Sequence, residues 1–125
     1  MRASRPEDVV QMAVKTINGQ DMEGALSFYE PTATFVAQDG KRYVGREAVR
    51  EALSEYFAIQ PTLTVTAVRK VVESEEIALV AGDWTLTGTA PDGSPIEMNA
   101  TNIDVVRRQT EGHWLIVIDN PFGLE

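Results

Sequence analysis

The sequence predicts an α+β domain, with three short helices followed by a long, curled meander of antiparallel strands. Three observations predict it. Apolar residues recur at helical spacing through the first part of the chain, as far as Ala58. After Gln60-Pro61 the composition turns to Thr, Val and Ile in strand-like runs. The links between those runs are of hairpin length, which joins neighbouring strands in antiparallel fashion.

The first helix is signalled by Ser4 as a cap, Pro6 in the first turn and Glu7 closing an S-x-x-E box. Val10, Ala13, Val14 and Ile17 then share one face, and Asn18-Gly19 stops the helix. Asp21 starts a second, shorter helix, "MEGALSFYE", which ends near Pro31 because proline cannot continue the hydrogen bonding. "ATFVA" and "KRYV" are short strands joined by a turn at Asp39-Gly40. Gly45 leads into a third helix, Arg46 to Ala58, with its apolar stripe at Val49, Ala52, Leu53, Tyr56 and Phe57. Four strands follow, at roughly 62–72, 76–88, 96–108 and 113–119, linked by Glu73-Ser74-Glu75, "APDGSP" and "QTEG".

The 125 residues suit one domain, placed at 1–123, while Leu124-Glu125 reads as the remnant of an expression tag. The absence of cysteine excludes disulfides and thiolate chemistry and fits a cytoplasmic protein. The formal charge of -8 argues against nucleic acid as a partner, since a phosphate backbone demands a basic footprint. "MRASRPEDVV" lacks an apolar signal core, and no run approaches the roughly 18 to 20 apolar residues that span a bilayer, so no membrane partner is expected.

Chemistry is to be sought where strand alternation places polar groups among apolar ones. In the third long strand Met98, Ala100, Asn102, Asp104 and Val106 share a face. That pattern fits either a pocket lining or an exposed sheet face. Facing a pocket, a neutral Asp104 could donate a hydrogen bond to a developing oxyanion, and a charged one could orient a partner or take a proton. Trp84 shares parity with Leu86 and carries an indole donor at the edge of a large apolar surface, so it serves either the hollow or the core. Tyr56 and Tyr29 carry hydroxyls on helical stripes and are candidates for the same lining, beside the plainer role of core packing. Asn120 and Phe122, in "DNPFG", would help close the open end of a hollow if the chain crosses it there. His113, the only histidine, sits at a hairpin end, which points to a surface role. No metal-ligand cluster has recognisable spacing; Asp83, Asp104 and Asp119 could in principle converge on magnesium, though nothing in their spacing says so, and neither a phosphate-cradling glycine pattern nor a G-x-S-x-G elbow occurs.

The order of these elements resembles the nuclear transport factor two-like superfamily, which includes ketosteroid isomerases, polyketide cyclases, scytalone dehydratases, limonene epoxide hydrolases and many uncharacterised small proteins. "GQDMEGALSFYEPTATFVA", "YVGREAVREAL" and "NIDVVRR…GHWLIVIDNPFG" carry the resemblance over nearly the whole chain. It implies a cone: a strongly curved mixed or antiparallel sheet wrapped around three N-terminal helices, a cystatin-like roll with a deep pocket. Against the ketosteroid isomerase pattern, Asp104 falls at the oxyanion aspartate, Ala37 at the base and Ala13 at the tyrosine. Alanine can neither transfer a proton nor donate from its side chain, so classical ketosteroid isomerisation is not expected. Asp104 and Arg107 differ by three positions and do not form the epoxide hydrolase network, and the lone His113 does not suit the dehydratase one.

Three functions remain open. One is a cofactor-independent isomerase, cyclase or lyase acting on a small, largely apolar carbonyl compound, with Asp104 catalytic and Asn102, Trp84, Tyr56, Asn120, Phe122, Tyr29 and Met98 around the ligand. Another is a binding protein with the same pocket and no turnover. The last is an association module that dimerises through the outer sheet face.

Overall fold

The computed structural model describes residues 2–125. Helices α1 (Asp8–Asn18), α2 (Met22–Leu26) and α3 (Arg46–Ala58) accompany strands β1 (Tyr29–Val36), β2 (Arg42–Val44), β3 (Thr62–Ser74), β4 (Ile77–Thr89), β5 (Pro95–Arg108) and β6 (Trp114–Asp119). The strands form one sheet in the order β2-β1-β6-β5-β4-β3, antiparallel throughout except where β1 lies parallel to β6.

The helices and the long strands fall where the sequence places them, to within a residue or two, with three local corrections. Helix α1 begins at Asp8, and Glu7 at its cap position makes no side-chain capping bond. The S-x-x-E box does not form because the chain before it is held elsewhere: Ala3 bridges to Trp114, whose amide donates to the Ala3 carbonyl at 2.9 Å. Helix α2 is shorter than expected, although Asp21 does cap it by accepting from the Gly24 amide at 2.9 Å. The segment from Tyr29 through Pro31 belongs to β1 instead. Pro31 is tolerated there because it is exposed and lies where the β1·β6 register is irregular, between Tyr29 and Thr34, so no ladder bond is lost to its missing N–H.

The expected cone is also corrected: the sheet is open and not strongly curled. Strands β2 and β3 are its two separate edges and do not pair. The helices account for this. α1 packs on β3 and α3 on β1 and β2, so the helical layer lies along one face of the sheet rather than being enclosed by it. Val9, Ala13 and Ile17 from α1 and Val49, Ala52 and Leu53 from α3 are buried in that layer. Each fully buried Val, Leu or Ile contributes roughly 1.5 to 3 kcal/mol of apolar transfer. Gly45, at φ 91°, makes the left-handed entry to α3 that a side chain would strain. No helix among the described residues is long and apolar enough to cross a membrane.

Alternation in β5 runs as the sequence implies. Asn102, Asp104 and Val106 are buried beneath the helices, while Ile103 and Val105 are half-buried on the opposite face. The register sets Asn102 opposite Gly82 and Asp104 opposite Val80.

Candidate functional site

Between the helical layer and the sheet lies a cavity of about 70 Å³. Helix α1 supplies only aliphatic walls, including Ala13. The polar members come from four other elements: Tyr29 on β1, Tyr56 on α3, Asn102 and Asp104 on β5, and Asp119 at the end of β6. Phe35 and Trp84 add aromatic surface.

Asp104 is 1% exposed and accepts two hydrogen bonds: one from the Asn102 side-chain amide at 2.6 Å, the other from the Asn120 backbone amide at 2.8 Å. Asn102 has room to turn toward it because its cross-strand neighbour, Gly82, has no side chain. A Cβ on Gly82 would stand 2.6 Å from the Ala67 carbonyl and 3.3 Å from the Asn102 Oδ1. Asp119 is half-buried, lines the cavity and accepts the Tyr29 hydroxyl at 2.6 Å. The two carboxyl groups are close enough to influence each other's titration, and a hydrogen bond between them would need a proton held by one of the two. A polar chain thus runs from Tyr29 through Asp119 and Asp104 to Asn102 and the Asn120 amide.

Burial drives the titration of this chain. Desolvation, and then the charge of Asp119, push the Asp104 carboxyl well above the usual carboxylate range, against the pull of the Asn120 and Asn102 donors. Desolvation also raises Asp119, opposed by its bonds with Tyr29 and Asp104. Neighbouring carboxyls of this kind titrate as one unit. The deeper burial of Asp104 makes it the better holder of a proton shared by the pair, with Asp119 as the acceptor. Burial and the adjacent acids hold the Tyr29 hydroxyl well above its ordinary value, and burial followed by the charges of Asp119 and Glu55 raises Tyr56 to about 12. Both phenols therefore remain donors at neutral pH.

The remaining candidates lie around this chain. Trp84 lines the cavity and donates from its indole nitrogen to the Pro121 carbonyl at 2.6 Å. Phe122 packs edge-on against Trp84, with centroids 5.5 Å apart, in a neighbouring cluster that Met98 also joins; neither Phe122 nor Met98 is among the cavity walls. The Asn120 side chain turns away to the Gly123 carbonyl at 3.0 Å, so its contribution to the site is its backbone amide. Asp83 lies apart from the two cavity acids, bonded by Thr101 at 2.7 Å and paired with Arg69 at 3.6 Å. Arg107 pairs with Glu30 at 2.9 Å, and Asp39 accepts the Lys41 amide in its turn. His113 is half-buried at the β5–β6 hairpin beside Arg2 and Ser27.

Asp119 is the functional candidate that the sequence pattern hides. With Trp114 and Ile116 buried, simple alternation turns Asp119 outward. The β5·β6 register is irregular, however: Val106 faces Ile116 while the adjacent Val105 faces Ile118. The bulge turns Ile118 outward, to 38% exposure, and Asp119 inward beside Phe35.

With this geometry in view, the comparisons place the chain. The SnoaL-like domain family matches residues 10–116. The chain belongs to that family. SnoaL-like membership and the fold agree with the wider nuclear transport factor two-like superfamily. A ketosteroid isomerase-like protein from Erwinia carotovora atroseptica is 16% identical with a TM-score of 0.79, over 90% of this chain and 88% of that one. A nuclear transport factor 2-like superfamily protein from Salmonella enterica is 16% identical with a TM-score of 0.80, over 95% and 90% respectively. A further such protein of unknown function, from Shewanella oneidensis, is 16% identical with a TM-score of 0.72, over 90% and 91%. At these identities the likeness is one of fold alone. No curated protein matches the chain.

Proposed function

We propose that this SnoaL-like domain is a cofactor-independent acid–base catalyst acting on a small, largely apolar carbonyl compound. The observation that carries this reading is that Asp104 and Asp119 line the same mostly apolar hollow, close enough to couple. Such a pair holds an acid and a base side by side at neutral pH. When substrate enters, the proton on Asp104 turns from Asp119 to the substrate oxygen beside the Tyr56 hydroxyl, which frees the ionised Asp119 to take a proton from the adjacent carbon. The broken C–H bond leaves its electrons in an enolate, and return of the proton to another carbon completes an isomerisation. Asn102 and the Asn120 amide hold Asp104 in place, and Tyr29 holds Asp119.

The size of the hollow narrows the substrate. It is roughly half the 150 Å³ of an apolar cavity that admits benzene, so about four heavy atoms fit without movement of α1 or α3. Acetone is therefore a suitable probe, with deuterium uptake from D₂O followed by NMR. The wild-type chain is expected to accelerate uptake, and Asp104→Asn and Asp119→Asn to reduce it at least ~100-fold. Uptake at the buffer rate with the wild-type chain, or undiminished uptake in both variants, overturns the proposal.

A specific observation also supports association of two copies. Val72, Leu79, Val105 and Ile118 face one another in a row across β3, β4, β5 and β6 on the face away from the helices. Three of them are 47%, 38% and 38% exposed, namely Val72, Leu79 and Ile118. A contiguous apolar row across a sheet marks an interaction surface more often than scattered residues do. A self-complementary twofold contact is the simplest way to cover it.

A further inference from the structure

The hollow has an unusual charge inventory. Its titratable walls are Tyr29 from β1, Tyr56 from α3, Asp104 from β5 and Asp119 from β6, while α1, β3, β4 and the C-terminal turn contribute only uncharged side chains. Among the described residues, no lysine, arginine or histidine lines it. The chain's other inward or partly covered acids are treated differently: Glu30 has Arg107 at 2.9 Å and Asp83 has Arg69 at 3.6 Å. A buried carboxylate without a cation keeps a proton instead, at a cost in free energy that a cationic guest would relieve. The rest of the hollow suits the other half of such a guest. Phe35 and Tyr56 meet edge to face at 6.2 Å, and Trp84 adds a third ring. Aromatic faces attract cations through their quadrupole as well as covering alkyl groups. The formal charge of -8 draws cations toward the protein from a distance.

We infer that the hollow binds small alkylammonium ions, with the ammonium group against the Asp104–Asp119 pair and the alkyl group among Phe35, Tyr56 and Trp84. This binding needs the hollow but not catalysis. Protons and the ammonium compete for the same carboxylates, so affinity rises as the pair ionises. The cavity volume sets the guest at about four heavy atoms, the size of isopropylammonium.

Isopropylamine, isopropanol and acetone each have four heavy atoms and only the first is charged at neutral pH, which makes them the test set. Each is titrated into the full chain while the Asn120 amide, which donates to Asp104, is followed by NMR. Isopropylammonium is expected to shift that amide and to bind at least about tenfold more tightly than isopropanol, with affinity falling as the pH is lowered and the pair takes up protons. An Asp104→Asn, Asp119→Asn double variant is expected to lose the preference for the ammonium ion. Equal affinity for the alcohol, an unmoved Asn120 amide, or a preference that survives acidification or the double substitution overturns the inference. The pH competition is read on the wild-type chain, so the test stands even if the double variant does not fold. Ammonium binding without acetone exchange would sink the catalytic reading and leave this one standing, and exchange without ammonium binding would do the reverse.

Discussion

At the scale of single residues, the candidate site is a pair of neighbouring carboxyls whose proton affinity is raised by burial, and its energetics make a signed prediction. Asp104 and Asp119 have folded pKa values raised above those of the unfolded chain, so between the two values the folded state binds more protons. Stability is therefore expected to fall as pH rises through that window, from just above the ordinary carboxylate value upward. Asp119→Asn removes much of this burden while keeping the geometry: its carbonyl can accept the Tyr29 hydroxyl and its amide can donate to Asp104. We expect the variant to gain about 1 to 2 kcal/mol at neutral pH and to lose that advantage near pH 4, as functional sites commonly trade stability for activity. Thermal melts across pH would show it, and a gain that does not depend on pH would contradict the shared-proton account. Tyr29→Phe should act in the opposite direction, costing about 1 kcal/mol by leaving Asp119 without its donor. Asn102 and Asp104 were legible in the sequence because an uninterrupted strand alternates strictly. Asp119 was not, because one bulge in β6 reverses its direction and no residue type announces that bulge.

At the scale of elements, the site depends on two features outside its own side chains. One is the C-terminal turn. It is tied down by the Trp84–Pro121 hydrogen bond at 2.6 Å, by the Trp84–Phe122 ring contact, and by the Ile103 amide donating to the Asn120 carbonyl at 3.0 Å. Trp84→Phe keeps most of the apolar surface but loses the donor. It is expected to cost about 1 to 2 kcal/mol and to speed hydrogen exchange at the Asn120 amide; unchanged exchange there would separate Trp84 from the turn. The other feature is the close approach of β3 to β4 at Gly82, beside two register shifts in β3. Gly82→Ala sets a Cβ against the Ala67 carbonyl, which is backbone and cannot swing aside, so we expect a loss of at least about 2 kcal/mol, read by denaturant melts. Helix α3 and the β3–β6 meander could be read from periodicity because their signals are local. The start of α1 and the extent of β1 could not, because long-range pairings decide them: Ala3 with Trp114, and Tyr29 with Ile116.

At the scale of the whole molecule, the decisive fact is that the sheet is open and only one of its faces is covered. The helices protect the Asn102–Asp104 face, and among the described residues nothing protects the row from Val72 to Ile118. The openness was hidden from the sequence because it depends on two long-range arrangements, the helices packing along one face and the β1·β6 pairing that leaves β2 and β3 as the edges. An uncovered apolar row on the sheet's other face leads to a prediction about assembly. Substituting Leu79, in the middle of the row, with lysine places a charge opposite both Val72 and Val105 without touching the buried face. In an isologous dimer each substitution acts twice, so dissociation is expected to rise at least ~100-fold. Wild-type chain should sediment as a dimer and melt at higher temperature as concentration rises, whereas Leu79→Lys should sediment as a monomer with a concentration-independent melt and unchanged circular dichroism. A wild-type chain that stays monomeric across the micromolar range, or a Leu79→Lys dimer of undiminished affinity, would show that the outer face is left to solvent. Because Asp104 and Asp119 face the opposite layer, the monomeric variant should still take up isopropylammonium. Loss of that binding on dissociation would mean that the hollow depends on a second copy to hold its helices in place.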